Sequence, residues 1–252
     1  MDKITERVRH AIPPAVRAPS SVMAEAAAAK RPRGRPRKTA DERDDGNRRV
    51  ELITAAARLF RRQGFDGTST RDIAAAVGMH SGSPFYHFKS KGALLHAVMD
   101  EGMRSAIAKQ TAALQAAEHA APDAAALLRV LVRNHFDVLL GPDSDFIPVM
   151  LYESRSLTPR QRSAVARLQS DYEAVWEPVL EVLSQAGRLN APVKLARLLI
   201  FGALNWSVQW FDAKKGATLD ELADAAMALF IGEAPGKASK LAAVKKLKKG
   251  SA

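Results

Sequence analysis

The sequence predicts an all-α protein with a small three-helix head and a larger helical bundle behind it. Three observations favour this fold class. From Asn47 onward, apolar residues recur with the helical period of three to four. Gly, Pro, Asn and Asp residues interrupt that period at intervals, and no segment shows the alternation of a β-hairpin. Around Gly78, two short helical segments flank a glycine turn, which is the pattern of a helix-turn-helix.

Composition divides the chain into four parts. Residues 1–46 hold prolines, an alanine run and a basic segment without a sustained apolar period, so we expect a flexible leader. Residues 47–91 are expected to form the head and residues 92–236 the bundle. The lysine-rich residues 237–252 are expected to be a disordered tail. A subsidiary hypothesis takes Met23 as the physiological start of the protein.

The helices of the head follow from apolar spacing and stop signals. Helix one is expected from Asn47 until Gly64 stops it, and its apolar stripe comprises Val50, Ile53, Ala57 and Phe60. Hydroxyl groups at residues 68–70 are expected to cap a second helix. The later predicted helices of the head are 71–77, 81–87 and a long one that begins near Gly92. The predicted helices of the bundle are Ala124–Leu140, Pro159–Gln185, Pro192–Asp212 and Leu219–Ile231.

The net charge of +11 is concentrated in two short segments. Residues 30–38 contain six basic residues and no acid, and residues 237–249 contain six lysines and no acid. Of the rest, residues 47–91 carry eight basic residues against three acids, whereas residues 92–236 carry thirteen against seventeen. A basic head on an acidic body is expected when only one end of a protein faces phosphate groups.

Composition and motifs disfavour several classes of protein. Without cysteine there are no disulfides, thiolate nucleophiles or cysteine zinc sites, which suits a reducing cytosol. The N-terminal residues lack the apolar run of a secretion signal, and the longest apolar stretch, Leu198–Leu204, is too short to span a bilayer. No phosphate-binding glycine loop, HExxH or GxSxG motif occurs, and the histidines lack spaced carboxylate partners. We therefore expect a cytoplasmic protein that is not an enzyme, needs no cofactor or metal and does not bind membranes.

Residues 48–99 resemble the DNA-binding head of TetR-family transcriptional regulators. The resemblance is carried by AAARLF, QGF, TSTRDIAAAVGM, YHF, KSK and ALL in this order. It implies a helix-turn-helix whose third helix enters the major groove, and a helical body that binds a small ligand and dimerises. More loosely, YESRSLTPRQR and FGALNWSVQWF resemble regulators of fatty-acid and steroid catabolism that respond to acyl-CoA thioesters.

The resemblance assigns DNA contacts to the third helix and its surroundings. The residues expected at base edges are His80, Ser81, Gly82, Ser83, Phe85, Tyr86 and His87. The residues expected at phosphates are Thr70, Tyr86, Lys89 and Lys91. Pro84 and Phe85 depart from the family pattern, and because proline is tolerated only in a first turn, the helix is expected to begin at Ser81 or Ser83. Phe88 is expected in the core, and for Tyr86 both a core position and a phosphate contact remain open.

The basic segment RPRGRPRK at residues 31–38 resembles an AT-hook. Glycine lets the backbone approach the floor of the minor groove, and Arg33, Arg35 and Arg37 are expected to be drawn to the negative potential of A/T-rich DNA. The alternative is an unspecific basic arm that binds phosphates by counterion release. The lysine tail is expected to be solvated, with unspecific DNA affinity as its alternative.

Aromatic and methionine side chains of the body are candidates for a ligand pocket. The predicted ligand-binding residues are Phe136, Phe146, Met150, Tyr152, Arg155, Trp176, Asn205, Trp206 and Trp210. Two roles remain open for Arg155, which either anchors a polar end of the ligand or pairs with Glu153 at the surface. Two roles also remain open for Asn205, which either anchors the ligand or packs between helices. The dimer interface is expected on Pro159–Gln185 and Pro192–Asp212, which are rich in apolar residues.

These patterns together predict a homodimeric, ligand-responsive transcriptional repressor. It would bind a palindromic operator in double-stranded DNA and be released by a small hydrophobic or acyl-CoA-type effector. The rival hypothesis is an architectural DNA-binding protein with an AT-hook and little sequence specificity.

Overall fold

A computed structural model describes residues 40–80, 84–118, 120, 122–142 and 144–232, without the side chains of 40–46, 85 and 213. These residues form helices and contain no strand, which confirms the predicted all-α class. The helices are α1 Ala40–Gln63, α2 Thr70–Ala76, α3 Pro84–His87, α4 Lys91–Glu118, α5 Ala124–Leu140, α6 Phe146–Glu153, α7 Pro159–Ala174, α8 Glu177–Gln185, α9 Val193–Trp206 and α10 Leu219–Phe230. No helix in this part of the chain is long and apolar enough to cross a membrane.

The head forms through the local signals that the sequence carries. Ser69 caps α2 in a capping box, because its hydroxyl accepts from Asp72 N and the Asp72 carboxylate accepts from Ser69 N. Gly64 and Gly78 end α1 and α2 with φ of 75° and 67°, a left-handed conformation that favours glycine. The Phe65 ring folds back on Phe60, with 5.5 Å between the ring centroids.

Helix α1 differs from its prediction in two respects. It begins at Ala40, inside the segment expected to be a flexible leader. Val50, predicted on its buried stripe, is 62% exposed, whereas Leu52 and Ala56 are fully buried. Among the side chains described for α1, burial begins at Leu52, because Val50 lies beyond the end of the core that starts there.

Pro84 is the first residue of α3, which fits its fixed φ and its missing N–H. The start of the helix at Ser81 or Ser83 lies outside the described residues. Phe88 is buried in the core of the head, as predicted, and Tyr86 is 95% exposed, which rules out the core position for it.

Helix α4 connects the head to the body. Its first turns bury Leu94, Leu95 and Val98, and α4 as a whole packs against α1, α5, α6 and α7. One continuous apolar core therefore runs from Phe60 in the head to Leu180 in the body.

The predicted helix Pro159–Gln185 is broken into α7 and α8. Pro178 lacks an N–H and its ring clashes with the carbonyl of Ala174, so the helix is interrupted ahead of it. Trp176 N donates to Glu173 O instead of the Tyr172 carbonyl that an unbroken helix would offer. Gln110 Nε2 donates to that Tyr172 carbonyl at 3.0 Å, so the break leaves no buried acceptor unpaired.

Helix α6 was not predicted. Its sequence FIPVMLYE is apolar on nearly every side, so it lacks the amphipathic period that identified the other helices. It packs closely on α4, because a Cβ added at Gly102 would lie 2.6 Å from Phe146 Cβ. No larger residue at position 102 fits without displacing α6.

Candidate DNA-binding face and ligand cavity

The outer face of the head presents several of the predicted DNA-contacting residues to solvent. Tyr86, His80 and Lys89 are exposed, and Thr70 and His87 are half-buried. Some predicted DNA contacts lie outside the described residues. They are Arg33, Arg35, Arg37, Ser81, Gly82, Ser83 and the side chain of Phe85. The exposed set thus combines hydroxyl, imidazole and ammonium donors around α3, and their contacts with DNA stay a prediction.

Lys91 is held inside the head. Its ammonium group donates to Phe65 O at 2.7 Å and to Thr68 O at 2.9 Å, and it lies 4.2 Å from the centroid of the Phe65 ring. Lys91 therefore ties the start of α4 to the loop between α1 and α2. Lys91 therefore has a structural role in the head, whereas the sequence predicted only a contact with phosphate.

Arg49 braces α3 in a similar way, and the sequence did not single it out. Its guanidinium donates to His87 O at 3.3 Å and lies 4.4 Å from the centroid of the Phe88 ring. A cation at the carboxyl end of a helix offsets the negative end of the helix dipole. Arg49 and Lys91 together fix the orientation of the helix-turn-helix.

The body contains a cavity of about 380 Å³, including the space at its open mouth. Most of its wall is apolar and comes from α4, α5, α6, α7 and α9. The lining residues are Met103, Ala106, His135, Val138, Ile147, Met150, Leu151, Gln169, Tyr172, Glu173, Phe201 and Asn205. An apolar wall with a few polar groups is typical of a small-molecule site.

Three polar side chains of the wall form one hydrogen-bonded chain. His135 Nδ1 lies 3.0 Å from Tyr172 Oη, and His135 Nε2 lies 3.1 Å from Asn205 Oδ1. Burial lowers the pKa of His135 from 6.5 to about 4, against a small opposing effect of the Asn205 hydrogen bond. Burial also raises the pKa of Tyr172. Both groups are consequently neutral at physiological pH.

Glu173 is the acidic residue of the wall and is already paired. Arg197 Nη1 donates to Glu173 Oε2, and both side chains are less than one third exposed. Burial raises the pKa of Glu173, and Arg197 opposes that rise. The lining residues therefore include no cationic side chain and no carboxylate without a cationic partner.

The structure brings two of the predicted ligand-binding residues, Met150 and Asn205, to the cavity wall. Phe146 lies beside it, in a small adjoining hollow with Ile147 and Lys109. Asn205 Oδ1 lies 3.1 Å from His135 Nε2, so Asn205 joins α9 to α5 at the cavity wall, and its contact with a ligand stays a prediction.

The other predicted ligand-binding residues do not line the cavity. Phe136 and Trp176 are buried in the core, where Trp176 Nε1 donates to Gln110 Oε1 at 2.8 Å. Trp206 and Trp210 are 65% and 55% exposed on the outer surface. The aromatic rings were predicted from residue type, which does not reveal the side of a helix that faces a cavity.

Tyr152 and Arg155 also lie away from the cavity wall. Tyr152 is half exposed and its hydroxyl accepts from Gln209 Nε2. Arg155 is exposed in the turn after α6. The alternative pairing of Arg155 with Glu153 is not formed, because the Glu153 carboxylate bonds to the head.

His135, Tyr172 and Glu173 were missed by the sequence reasoning. The signal available for His135 was a polar Asn134-His135 pair inside the otherwise apolar stripe of α5. A buried polar residue calls for a partner, but the partners lie on other helices and cannot be located from spacing along one helix.

Helix α6 contacts both the cavity and the head. Ile147, Met150 and Leu151 on α6 face the cavity. At its amino end, Asp145 accepts from Arg61 Nη1 at 3.1 Å, and at its carboxyl end, Glu153 Oε1 accepts from Phe65 N at 3.0 Å. We call these two contacts the head latches.

Comparison with known proteins agrees with this arrangement. Residues 52–98 match the family described as bacterial regulatory proteins, tetR family, and residues 121–233 match the family described as tetracyclin repressor-like, C-terminal domain. The HTH-type transcriptional repressor KstR2 of Rhodococcus jostii is 28% identical over 188 residues, which cover 73% of this chain and 89% of that protein.

Two solved structures share the fold. The superantigen PfiT is 36% identical, with a TM-score of 0.62, and the match covers 73% of this chain and 96% of that one. AibR in complex with isovaleryl coenzyme A and operator DNA gives a TM-score of 0.66 at 24% identity, covering 73% of this chain and 97% of AibR.

A braced helix-turn-helix joined to a helical body with an internal cavity defines the class of one-component DNA-binding regulators. Within that class, the two family matches decide the assignment. The chain belongs to the TetR family of bacterial transcriptional regulators.

Replacing Lys91 by Met should lower the free energy of unfolding by about 1–3 kcal/mol, because the carbonyls of Phe65 and Thr68 lose their donor. The matched control is Lys89→Met, since Lys89 is exposed and its loss should change stability by less than about 0.5 kcal/mol. Urea unfolding of both variants measures the difference. Equal stability of the two variants would contradict the bracing role of Lys91.

Lowering the pH should destabilise the protein through His135. The unfolded chain binds a proton at this histidine below pH 6.5, but the folded protein does so only near pH 4. The contribution of His135 to the free energy of unfolding is therefore fully present above pH 6.5. It falls by about 1.4 kcal/mol per pH unit as the pH drops toward 4, and the total loss is up to about 3 kcal/mol. Urea midpoints measured across this window should fall less steeply for His135→Gln than for the exposed-site control His80→Gln.

Proposed function

We propose that the protein is a homodimeric repressor that leaves its operator when a small hydrophobic or acyl-CoA-type molecule occupies the cavity. The observation that carries this proposal is the position of α6, which lines the cavity and is bonded to the head at both ends. A ligand that pushes on Ile147 or Met150 moves α6, and the head latches pass that movement to Arg61 of α1 and to Phe65 in the loop that follows it. A ligand switches DNA binding only if its affinity differs between the conformation that binds the operator and the conformation that does not.

The DNA-binding end is proposed to be the face that carries Tyr86, His80 and Lys89. Its exposed donors surround α3, and Arg71, exposed in the first turn of α2, adds a cation next to them. Ammonium and guanidinium groups at such positions attract phosphates, whereas hydroxyl and imidazole groups reach base edges.

The dimer interface is proposed to centre on α9. Leu195, Leu198, Leu199 and Trp206 are 53–69% exposed and follow one side of this helix. Gly202 lies on the same stripe with open space beside it, which permits close approach of a partner helix. An exposed apolar stripe of this length indicates a protein contact. Leu229 on α10, 84% exposed, extends the apolar surface.

The part of the predicted interface that falls on α7 and α8 is not supported. Val175 and Val179 are buried inside the subunit, and the exposed residues of α7 are mostly polar. The apolar residues of this region fill the subunit's own core, since the break between α7 and α8 turns them inward.

An acyl-CoA effector is supported by the chemistry of the cavity and by one structural relative. AibR has been crystallised with isovaleryl coenzyme A and operator DNA. In the present chain the mostly apolar wall of the cavity suits the acyl group of such a molecule. The protein is proposed to act in the cytoplasm, where its DNA is, and without catalysis.

Selection from a random DNA pool tests the repressor function against an architectural role. The full chain should enrich a palindromic sequence and bind it at least about 10³-fold more tightly than random DNA at fixed salt. Weak and uniform enrichment would favour the architectural DNA-binding protein. Binding of one dimer per palindrome, measured by native mass spectrometry, checks the dimer in the same samples.

Removing the head latches should uncouple the ligand from DNA. In the double variant Arg61→Ala/Glu153→Ala, ligand binding should persist while the ligand-induced loss of operator affinity shrinks by at least about fivefold. Fluorescence anisotropy of labelled operator, with and without isovaleryl coenzyme A, measures this ratio.

The control for the latch experiment is Arg48→Ala. Arg48 also lies on α1 and pairs with Glu51 of the same helix, so its removal leaves both latches intact. It should keep the response of the unaltered protein. An undiminished response in the latch variant would show that α6 does not transmit the signal through these contacts.

A further inference from the structure

The polar chain in the cavity has a definite direction. Tyr172 Oη, His135 and Asn205 are joined by hydrogen bonds of 3.0 and 3.1 Å. A neutral histidine carries one ring N–H, so one of its nitrogens donates and the other accepts. The direction of the chain therefore depends on whether Tyr172 gives or receives the bond to His135.

Asn205 Oδ1 decides that direction. An amide oxygen only accepts, so His135 Nε2, which lies 3.1 Å from it, carries the ring proton and donates to Asn205. His135 Nδ1 then has no proton and accepts from the hydroxyl group of Tyr172 at 3.0 Å.

The bond from His135 uses one end of the Asn205 amide. The oxygen of Asn205 is used in this bond, whereas its Nδ2 group makes no hydrogen bond to the described residues. Asn205 lines the cavity, so its two N–H donors remain for a ligand.

Charge restricts the ligand further. The cavity wall offers no cation to a carboxylate, and its own carboxylate, Glu173, is bound to Arg197. An anionic ligand group inside this wall would be desolvated next to Glu173 without compensation. The group opposite Asn205 must accept a hydrogen bond and be uncharged.

We propose that the cavity selects ligands with an uncharged carbonyl oxygen on an apolar body, and that Asn205 Nδ2 is the donor that recognises this oxygen. The inference rests on the proposed function, since it names the chemistry of the effector. It makes Asn205 a specificity-determining residue and assigns His135 and Tyr172 the role of holding its amide in one orientation.

Three molecules of the same shape test the inference. They are methyl isobutyl ketone, the alkene in which a methylene group replaces the ketone oxygen, and isovalerate, in which an anionic oxygen replaces a methyl group. Binding to the full chain is measured by ligand-observed NMR. The ketone should bind about tenfold more tightly than the alkene, because the alkene leaves the Asn205 donors unpaired, and isovalerate should bind most weakly.

Two variants separate recognition from packing. Asn205→Asp keeps an oxygen for the bond from His135 but has no N–H, so it should lose the preference for the ketone while the protein stays folded. Asn205→Leu has a similar volume without polar atoms, and it should bind the alkene at least as well as the ketone. A second pair, isovaleryl coenzyme A and its thioether analogue without the carbonyl, shows whether a thioester supplies the same oxygen.

The results that overturn the inference are equal binding of ketone and alkene, tighter binding of isovalerate than of the ketone, no binding of any of the three molecules, or a ketone preference that persists in Asn205→Asp. Operator binding is measured on the same protein. Intact operator recognition with no carbonyl preference refutes this inference alone, whereas absent operator recognition refutes the proposed function.

Discussion

The packing of α6 between the head and the cavity is the constraint on which the functional arrangement depends. This helix contacts α1, α4 and α5. Gly102 lets it approach α4 so closely that no side chain fits between them. Protein interiors are close-packed and do not absorb displacements locally. In the proposed function, a ligand that pushes on Ile147 or Met150 moves α6 as a unit, and the bonds at Asp145 and Glu153 connect that unit to the head.

A second constraint lies deeper in the body. Pro178 breaks the long helix after α7, and the break releases the Tyr172 carbonyl and turns Trp176 into the core. Gln110 forms hydrogen bonds with both residues: its Oε1 accepts from Trp176 Nε1, and its Nε2 donates to the Tyr172 carbonyl. Tyr172 also begins the polar chain to Asn205, so the helix break lies next to the polar side of the cavity. Such networks are favourable only when each member is satisfied, and this one joins helices that are distant in sequence.

Local features of the fold were predictable to the extent that they depend on neighbours in sequence. The cap at Ser69, the glycine turns and the exact bounds of α5 follow from residue chemistry and period. The start of α1, the break before Pro178 and the existence of α6 were not predicted. In the last case the reason is physical, because a short helix buried on nearly all sides has no polar face to give it a period.

The sequence by itself determined the helical class, the helix-turn-helix and the family, since each is written in local spacing and in ordered motifs. Met150 and Asn205 were also identified as cavity residues from sequence. Only the tertiary structure decided that Trp206 and Trp210 face outward and that His135 and Tyr172 face inward. Which side of a helix meets a cavity depends on the packing of its neighbours, and that packing is set by contacts between residues far apart in the chain.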